Sequence, residues 1–223
     1  MIELNNTINL KENIPNCTPH CKEFLDYISG YARPSEMTLA VVSVEDFKDA
    51  DDFFARAYGK RTQYDYRKIA EDGYTFKKLT TQERNSRLEE LYAINTSTDQ
   101  RQGGKMNETY YEYPKPREED TCPHHFVQIY GAFNLDGIWI GYIDMYFAGE
   151  WCCVKHILGH QKYLNACKRG SFMVNLWFCV VKDVMENHPE INYIQYHLMG
   201  VGNPGLDEWK KRVGLQEGKI VTL

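Results

Sequence analysis

Three apolar runs joined by short turns, with a long apolar helix after them, constrain the fold of this chain more than any other feature. The runs occupy residues 126–133, 138–147 and 151–158, and the turn between the first two reads NLDG. Their β-branched and aromatic side chains and short connections are typical of antiparallel strands. Ser171 can cap a helix at 172–187, and a fourth strand follows at 191–199. Because this helix crosses over between the third and fourth strands, the pattern predicts an α+β protein with a mixed, mainly antiparallel sheet flanked by helices.

The remaining residues predict further strands and helices around this core. Alternation and β-branched runs predict strands, and helical spacing of apolar residues predicts helices. The predicted strands lie at 37–44, 74–79 and 219–223, and the predicted helices at 21–31, 44–59, 61–71, 81–92 and 206–213. Residues 1–20 are polar, with little periodicity, and predict an arm. We therefore expect an arm and short helix at 1–35 and one domain at 36–223, with its core at 126–223 and an α/β elaboration before it.

The composition indicates a globular protein and excludes several classes. The chain has 223 residues, of which 43% are hydrophobic, enough to bury a core without a disulfide or metal staple. The chain has a net charge of −5 and does not have the excess of basic residues that is typical of a protein that binds duplex nucleic acid. A nucleic-acid partner is therefore possible but not favoured. No stretch reaches the ~20 apolar residues of a membrane span, and the N-terminus does not resemble a secretory signal. The composition does not indicate which oligomeric state the protein adopts.

The cysteine pattern indicates reduced thiols. The seven cysteines are odd in number and include the adjacent pair Cys152 and Cys153, which does not suit a disulfide framework. We therefore expect a cytoplasmic protein.

Two groups of cysteine and histidine raise the question of a metal site. They are Cys17, His20 and Cys21 near the start, and Cys122, His124 and His125 about a hundred residues later. Together they offer more than the four ligands of a tetrahedral zinc site, but neither group has the Cys-x2-Cys spacing of a zinc ribbon. The sequence therefore predicts no bound metal.

The loop at 159–170 predicts an anion site, because it leads from a strand into a helix. The first N–H groups of a helix have no intrahelical partner, and the helix dipole is positive at that end. An anion, such as the pyrophosphate of a carrier, would be stabilised there. The candidate residues are Lys168, Arg169, Gly170 and Ser171.

Residues 126–223 resemble the GNAT (GCN5-related N-acetyltransferase) fold. The resemblance rests on the hairpin, the strand WCCVKHIL, the loop and helix after it, and the segment GNPGLDEWKKRVGLQ. In that last segment, the family's closing signature falls on Asn203, Trp209, Gly214 and Leu215. Upstream, YDYRKIAEDGYTFKKL at 64–79 is similar to a segment of GNAT-like proteins related to the Fem aminoacyltransferases. The loop NTSTDQRQGGKM at 95–106 resembles a loop of bacterial GNAT-like proteins.

The resemblance implies an N-acyltransferase, with acyl-CoA (acetyl-CoA among the candidates) or an aminoacyl carrier as donor and an amine as acceptor. Such a reaction needs a polarised carbonyl and a base for the amine proton. We assign donor binding to Asn203 and to the strand end formed by Ile157, Leu158 and Gly159. The candidates for proton transfer are His156, His160, His197 and Asp144.

A polar loop before the core is the candidate acceptor site. It contains Asn95, Thr96, Ser97, Arg101 and Gln102, more hydrogen-bonding groups than a connection requires. An arginine in such a loop suits a carboxylate or a phosphate, since its guanidinium can bind either one through two hydrogen bonds.

Two departures from the GNAT pattern keep other functions open. Of the phosphate-loop pattern of acetyl-CoA enzymes, only Gly170 is present, and the bulky Phe172 stands where a small residue is usual. Lys210 stands where many members have a tyrosine acid. The alternatives are a nucleic-acid base-modifying enzyme on the same fold and a non-catalytic GNAT-like binding module.

Overall fold

The protein folds around an eight-stranded sheet with helices on both faces. A computed structural model describes residues 1–4, 8–11, 19–32, 35–101, 104–120, 122–166, 171–201 and 203–220. The strands of the sheet are β1 (Ile2–Leu4), β2 (Leu39–Ser43), β3 (Thr75–Leu79), β6 (His125–Phe133), β7 (Trp139–Ala148), β8 (Trp151–Gly159), β9 (Tyr193–Leu198) and β10 (Gln216–Ile220). A separate two-stranded hairpin consists of β4 (Gln100–Arg101) and β5 (Gly104–Lys105).

The sheet is mixed and mainly antiparallel, which confirms the predicted fold class. The strand order is β1-β10-β2-β9-β8-β7-β6-β3. The pairs β1–β10 and β8–β9 are parallel, and the other pairs are antiparallel. The hairpin from β6 to β8 forms as predicted, and β7 is buried along its whole length between its two neighbours.

Helices connect the strands and cover both faces of the sheet. They are α1 (Pro19–Ser29), α2 (Ala50–Ala57), α3 (Lys60–Glu71), α4 (Thr81–Asn85), α5 (Leu88–Asn95), α6 (Gln161–Ala166), α7 (Met173–Asn187) and α8 (Pro204–Arg212). Within the described ranges, none of the helices has both the length and the apolar character needed to cross a membrane.

The crossover helix α7 packs across one face of the sheet. Leu176, Val180 and Val184 on its inner side are fully buried, as helical spacing predicts. Trp177 is also fully buried, and its indole N–H donates to the Val213 carbonyl oxygen at 2.9 Å. Helices α2 and α3 pack outside α7, so this face carries the larger part of the core.

The opposite face of the sheet carries two smaller apolar clusters. Helix α1 and the N-terminal segment cover Tyr146, Trp151 and Cys153. Helix α5 covers the other end of the same strands, around Tyr142 and Leu158. Between these two clusters, the face of β7 and β8 carries polar side chains, and the candidate site lies there.

The structure differs from the predicted elements in five places. The N-terminal arm contributes β1, a strand of three residues that pairs with β10 at the sheet edge. The single helix predicted at 81–92 is two helices, because Thr80 and Glu83 form a capping box at α4 and a second helix begins at Leu88. The loop predicted at 159–170 contains α6, and the polar loop contains the β4–β5 hairpin. The predicted strand at 219–223 extends to 216, and its last three residues lie outside the described ranges.

Candidate functional site

Strands β8 and β9 are paired only at their starts, and this opens the sheet. Their parallel register covers Trp151–Cys153 of β8 and Tyr193–Gln195 of β9. Beyond these residues, both strands continue, to Gly159 and Leu198, without pairing with each other in the described part of the chain. The backbone edge of β8 from Val154 to Gly159 therefore faces a gap in the sheet.

A cavity of about 290 Å³, which we call the β8–β9 cleft, occupies this gap. Its walls come from the end of β8, from α7 and α8, and from the polar loop after α5. The lining residues are Ile94, Ser97, Thr98, Arg101, Met106, Ile157, Leu158, Gly159, Gln161, Leu164, Ser171, Met173, Tyr196, Asn203, Gly205, Leu206 and Trp209. The cleft thus brings together residues predicted from distant segments, and most of its wall is apolar.

All the predicted donor-binding residues within the described ranges line this cleft. Ile157, Leu158 and Gly159 form its wall on β8. Asn203 caps α8, where its side-chain oxygen accepts from the Gly205 N–H at 2.9 Å. Ser171 lies two residues before the start of α7, and its hydroxyl oxygen accepts from the Met173 N–H at 3.2 Å. The predicted Lys168, Arg169 and Gly170 lie outside the described residues.

The polar loop divides into residues that line a cavity and a residue that completes a helix. Ser97 and Arg101 line the β8–β9 cleft, and Asn95 lines a second pocket described below. Thr96 ends α5, where its hydroxyl donates to the Tyr92 carbonyl oxygen at 2.8 Å. Gln102 lies outside the described residues.

A second cavity of about 180 Å³, which we call the polar pocket, lies beside the cleft on the face covered by α5. Adjacent residues link the two cavities, since Ile94 lines the cleft and Asn95 the polar pocket. The ionisable and polar side chains that line the pocket are Arg84, Asn95, Thr109, Tyr110, Arg117, Tyr142, Asp144 and His156.

His156 is the candidate base that the structure places in the polar pocket. Its Nδ1 lies 2.7 Å from the Tyr110 hydroxyl oxygen, and Asp144 stands opposite it in the β7–β8 register. Burial lowers the pKa of His156 below its ordinary value, although the Asp144 carboxylate acts in the other direction. Burial raises the pKa of Tyr110. At neutral pH, the pair is therefore a neutral imidazole hydrogen-bonded to a protonated phenol, an arrangement that can accept a proton.

Asp144 is a buried carboxylate whose charge is balanced by an arginine. Its side chain is 2% exposed, and both of its oxygens accept from the Arg117 guanidinium, through Nη1 at 2.8 Å and through Nη2. Burial raises the pKa of Asp144, but Arg117 outweighs this and holds the pKa below its ordinary value. The carboxylate is therefore ionised, and both of its oxygens are hydrogen-bonded to Arg117. Its negative charge acts on His156, and it is not itself the base.

A second arginine in the pocket has unused hydrogen-bonding capacity. Arg84 is 5% exposed, and its Nη1 donates to the Lys115 carbonyl oxygen at 2.7 Å. Its buried Nε has no hydrogen-bond partner in the described structure. Burial, followed by the charge of Arg117, lowers the pKa of Arg84 to about 10, so it stays positive at neutral pH. With Asp144 neutralised by Arg117, the pocket carries a net positive charge.

The other two histidines predicted as bases lie away from this arrangement. His160 follows β8, and its Nδ1 accepts from the Lys162 N–H at 3.3 Å at the start of α6. His197 is exposed and packs beside the Tyr31 ring at 6.2 Å. Its neighbour Tyr196 lines the cleft, whereas His197 has a left-handed backbone, with φ +55°, and lies on the side of Tyr31. The structure therefore does not bring His160 or His197 together with Asp144 and His156.

Sequence reasoning did not identify Arg84, Tyr110, Arg117 or Tyr142 as site residues. Tyr110 and Arg117 lie in the irregular segment between the polar loop and β6, where no periodicity indicates which side chains face inward. Tyr142 is in the predicted hairpin, and its hydroxyl donates to the Asn95 side-chain oxygen at 2.9 Å, a contact that the strand pattern does not reveal. Lys210, at the place of the family's tyrosine acid, is fully buried, and its Nζ donates to the Leu198 carbonyl oxygen. This lysine therefore ties α8 to the end of β9.

Comparison with known proteins identifies similar structures but no close relatives in sequence. No family model matches the chain, and no curated protein matches its sequence. The structure of FemX superimposes with a TM-score of 0.57 at 11% identity, covering 84% of this chain and 60% of FemX. The C-terminal DUF2156 domain of a putative lysylphosphatidylglycerol synthetase from Agrobacterium fabrum gives 0.50 at 10% identity, covering 88% and 69%. L-PGS from Bacillus licheniformis gives 0.48 at 12% identity, covering 82% and 58%.

The chain spans 58% of the length of the L-PGS structure and 60% of that of FemX. At these identities, the likeness concerns the fold alone. The chain therefore has a GNAT-like fold related to that of the Fem proteins.

Proposed function

We propose that this protein is an N-acyltransferase that binds an activated acyl donor in the β8–β9 cleft and an amine acceptor in the polar pocket. One observation carries the proposal, namely the neutral His156–Tyr110 pair beside the open backbone edge of β8. An unpaired strand edge offers N–H groups that can polarise an acyl carbonyl, and the pair offers a proton acceptor close by. Acyl transfer to an amine requires these two elements.

The donor is an acyl-CoA thioester or an aminoacyl ester. The apolar wall formed by Met106, Leu164, Met173, Leu206 and Trp209 suits the uncharged part of either donor. The GNAT-like fold is compatible with both classes, and the resemblance at 64–79 to proteins related to the Fem aminoacyltransferases favours the second. The anionic part of the donor is expected at the start of α7, where Lys168 and Arg169 precede the helix in sequence.

The acceptor is proposed to be an amine that also carries an anionic group. Arg84, which stays positively charged at neutral pH, lines the polar pocket, and Arg101 lines the adjoining cleft. A carboxylate or phosphate on the acceptor would satisfy these donors through charge-assisted hydrogen bonds. The amine would then lie toward Tyr110 and His156.

In the proposed transfer, the proton that leaves the amine moves along the hydrogen bond between Tyr110 and His156. The amine nitrogen attacks the acyl carbonyl, forming a C–N bond, and the bond from carbon to the carrier sulfur or oxygen breaks. The amine proton passes to the Tyr110 oxygen while the Tyr110 proton passes to Nδ1 of His156. The Asp144 charge favours the imidazolium that forms, and the proton is then returned to the leaving group.

A donor panel tests the proposal directly. Acetyl-CoA, longer acyl-CoA thioesters and aminoacyl-tRNAs are added separately, and the melting temperature is measured. A donor at 100 times its Kd should stabilise the fold by about 2.7 kcal/mol, or roughly 5 to 10 °C for a chain of this size. Leu206→Trp, which fills the cleft, should abolish the shift, whereas Glu208→Trp on the exposed side of α8 should retain it.

Other outcomes of the same panel would support the alternative functions. Stabilisation by nucleic acid alone, with no acyl transfer to any amine, would favour a base-modifying enzyme. A donor that binds in the cleft but is never consumed would favour a binding module. A wild-type protein that no acyl donor stabilises contradicts the proposed function.

The titration of His156 gives a further prediction that needs no substrate. Burial lowers its pKa and Asp144 raises it, so Asp144→Asn should move the His156 titration to still lower pH. The unpaired Arg117 would add to the same shift, since its charge also lowers this pKa. Histidine ring resonances followed by NMR against pH report the change, and they should place the wild-type midpoint below the ordinary ~6.5. Asp136→Asn in the exposed turn is the control and should leave the titration in place. An upward shift in Asp144→Asn contradicts the assignment.

A further inference from the structure

We propose that Cys21, Cys122 and His125 form a structural zinc site at the end of the sheet remote from the β8–β9 cleft. One ligand atom from each residue lies within 4.8 Å of those of the other two, and all three side chains are buried. Cys21 lies in α1, Cys122 just before β6, and His125 is the first residue of β6. The site would therefore join the helix on one face of the sheet to the strand beneath it.

One distance in the cluster matches the ligand spacing of a tetrahedral metal, and the other two lie within 4.8 Å. Cys122 Sγ and His125 Nδ1 are 3.6 Å apart. With Zn–S near ~2.3 Å and Zn–N near ~2.0 Å, a tetrahedral angle separates sulfur and nitrogen by about 3.5 Å. Two thiolates and an imidazole form a donor set that binds zinc in preference to harder cations such as Mg²⁺ or Ca²⁺. Cys122 and His125 are also separated by two residues, the shortest spacing at which paired ligands commonly bind one zinc ion.

The imidazole of His125 is oriented as a metal-binding histidine is. Its Nε2 lies 2.8 Å from the Leu10 carbonyl oxygen. Since a carbonyl can only accept, Nε2 carries a proton, and Nδ1, on the side of Cys122, is the ring nitrogen that can bind a metal. Histidines that bind metals usually donate their other ring N–H to a carbonyl or carboxylate in this way, which fixes both tautomer and ring orientation.

The surroundings indicate a structural role. The segment that supplies Leu10 is held to the β7–β8 turn, because the Asn9 N–H donates to the Glu150 carboxylate and the Glu150 N–H donates to the Asn9 carbonyl oxygen, each at 2.9 Å. Gly149 in that turn has φ +57°, and a side chain there would collide with Asn9. His125 pairs with Ala148 at the far end of β7, so six or more strand residues, roughly 20 Å, separate the cluster from the cleft.

Cys21 is far from Cys122 and His125 in sequence, but the fold brings the three side chains together. Helix α1 packs against β6 and β7, and this brings Cys21 to Cys122 across about a hundred residues. Cys17 lies outside the described residues, and the proposal does not use it. The remaining tetrahedral position belongs to water or a fourth side chain.

Metal content of the whole chain tests the site. The protein is purified with a tag that contains no histidine, and zinc is measured by mass spectrometry, with about one zinc per chain expected. After removal of zinc by a chelator, titration with Co²⁺ should give thiolate-to-cobalt charge-transfer absorption and the intense visible bands of a tetrahedral ion. The melting temperature should fall on zinc removal and recover when zinc is returned.

Matched variants locate the metal. Cys122→Ser and His125→Ala should weaken zinc affinity by more than the ~10- to 100-fold that loss of a supporting hydrogen bond costs. His124→Ala, next to the cluster but exposed, and Cys179→Ser, on α7, should bind zinc like the wild type. If Cys122→Ser does not fold, the cobalt titration of the wild type still decides.

Three results would overturn the proposal. One is a folded wild-type protein that binds neither zinc nor cobalt. Another is a mass two hydrogens lower with a Cys21–Cys122 disulfide and no metal, which would make the pair a redox crosslink. The third is zinc content that stays unchanged in both Cys122→Ser and His125→Ala.

Discussion

His156→Ala is expected to lower kcat/KM for acyl transfer by about 100- to 10,000-fold, the range typical of losing a positioned general base. Tyr110→Phe should lower it by a similar factor, because the phenol is the group through which the amine proton reaches Nδ1 of His156 in the proposed relay. The effects of substituting residues that act as one unit are not additive, so the double variant should be about as slow as the slower of the two single variants. Single-turnover transfer from the donor that the panel identifies is the measurement.

The control for this prediction lies beside Tyr110 in the sequence. Tyr111 is exposed, so Tyr111→Phe should retain the wild-type rate. Melting temperatures of all four variants separate loss of the relay from loss of the fold. Fully additive effects of His156→Ala and Tyr110→Phe, or a His156→Ala variant with wild-type turnover, would contradict the relay.

The sequence predicted the strands and the helix that surround the cleft, because local patterns determine these elements. Alternation and turn residues place the β6–β7–β8 hairpin, and the 3.6-residue period places α7 across it. Edge strand β1 was not predicted, because three residues carry too little pattern and their pairing with β10 is set by the distant end of the chain. Helix α6 was not predicted either, because it is short and lies between glycines in a polar stretch.

The polar pocket was only half predictable, for a physical reason. Asp144 and His156 lie on regular strands, so their proximity follows from the hairpin register. Tyr110 approaches them from a single 3-10 turn at Glu108–Tyr111 and Arg117 from the irregular stretch after it, and the position of both depends on contacts with the rest of the fold. His197 shows a further limit, since its backbone is left-handed, with φ +55°, and the strand period of two does not assign a face to such a residue.

Arg117→Ala is expected to destabilise the fold by about 3 to 5 kcal/mol at neutral pH, the range found when one partner of a buried ion pair is removed. The variant leaves the Asp144 side chain, 2% exposed, without the guanidinium that binds both of its oxygens. Burial alone raises the pKa of a carboxyl group, so Asp144 in the variant should take up a proton at a pH where the wild type stays ionised. Urea unfolding at several pH values measures both effects.

The dependence on pH has a definite sign. In the wild type, the pKa of Asp144 is lowered, so the stability it contributes is present above the unfolded value of about 3.9 and is lost as pH falls through the lower folded value. The difference between wild type and Arg117→Ala should therefore be largest near neutrality, and it should shrink as pH falls through the raised pKa of Asp144 in the variant and on toward the lowered pKa in the wild type. Lys182→Ala, which removes an exposed pair with Glu186 on α7, is the matched control and should change stability by less than about 1 kcal/mol. A difference that stayed constant from pH 7 to pH 3 would mean that Arg117 stabilises the fold by packing and not by balancing the Asp144 charge.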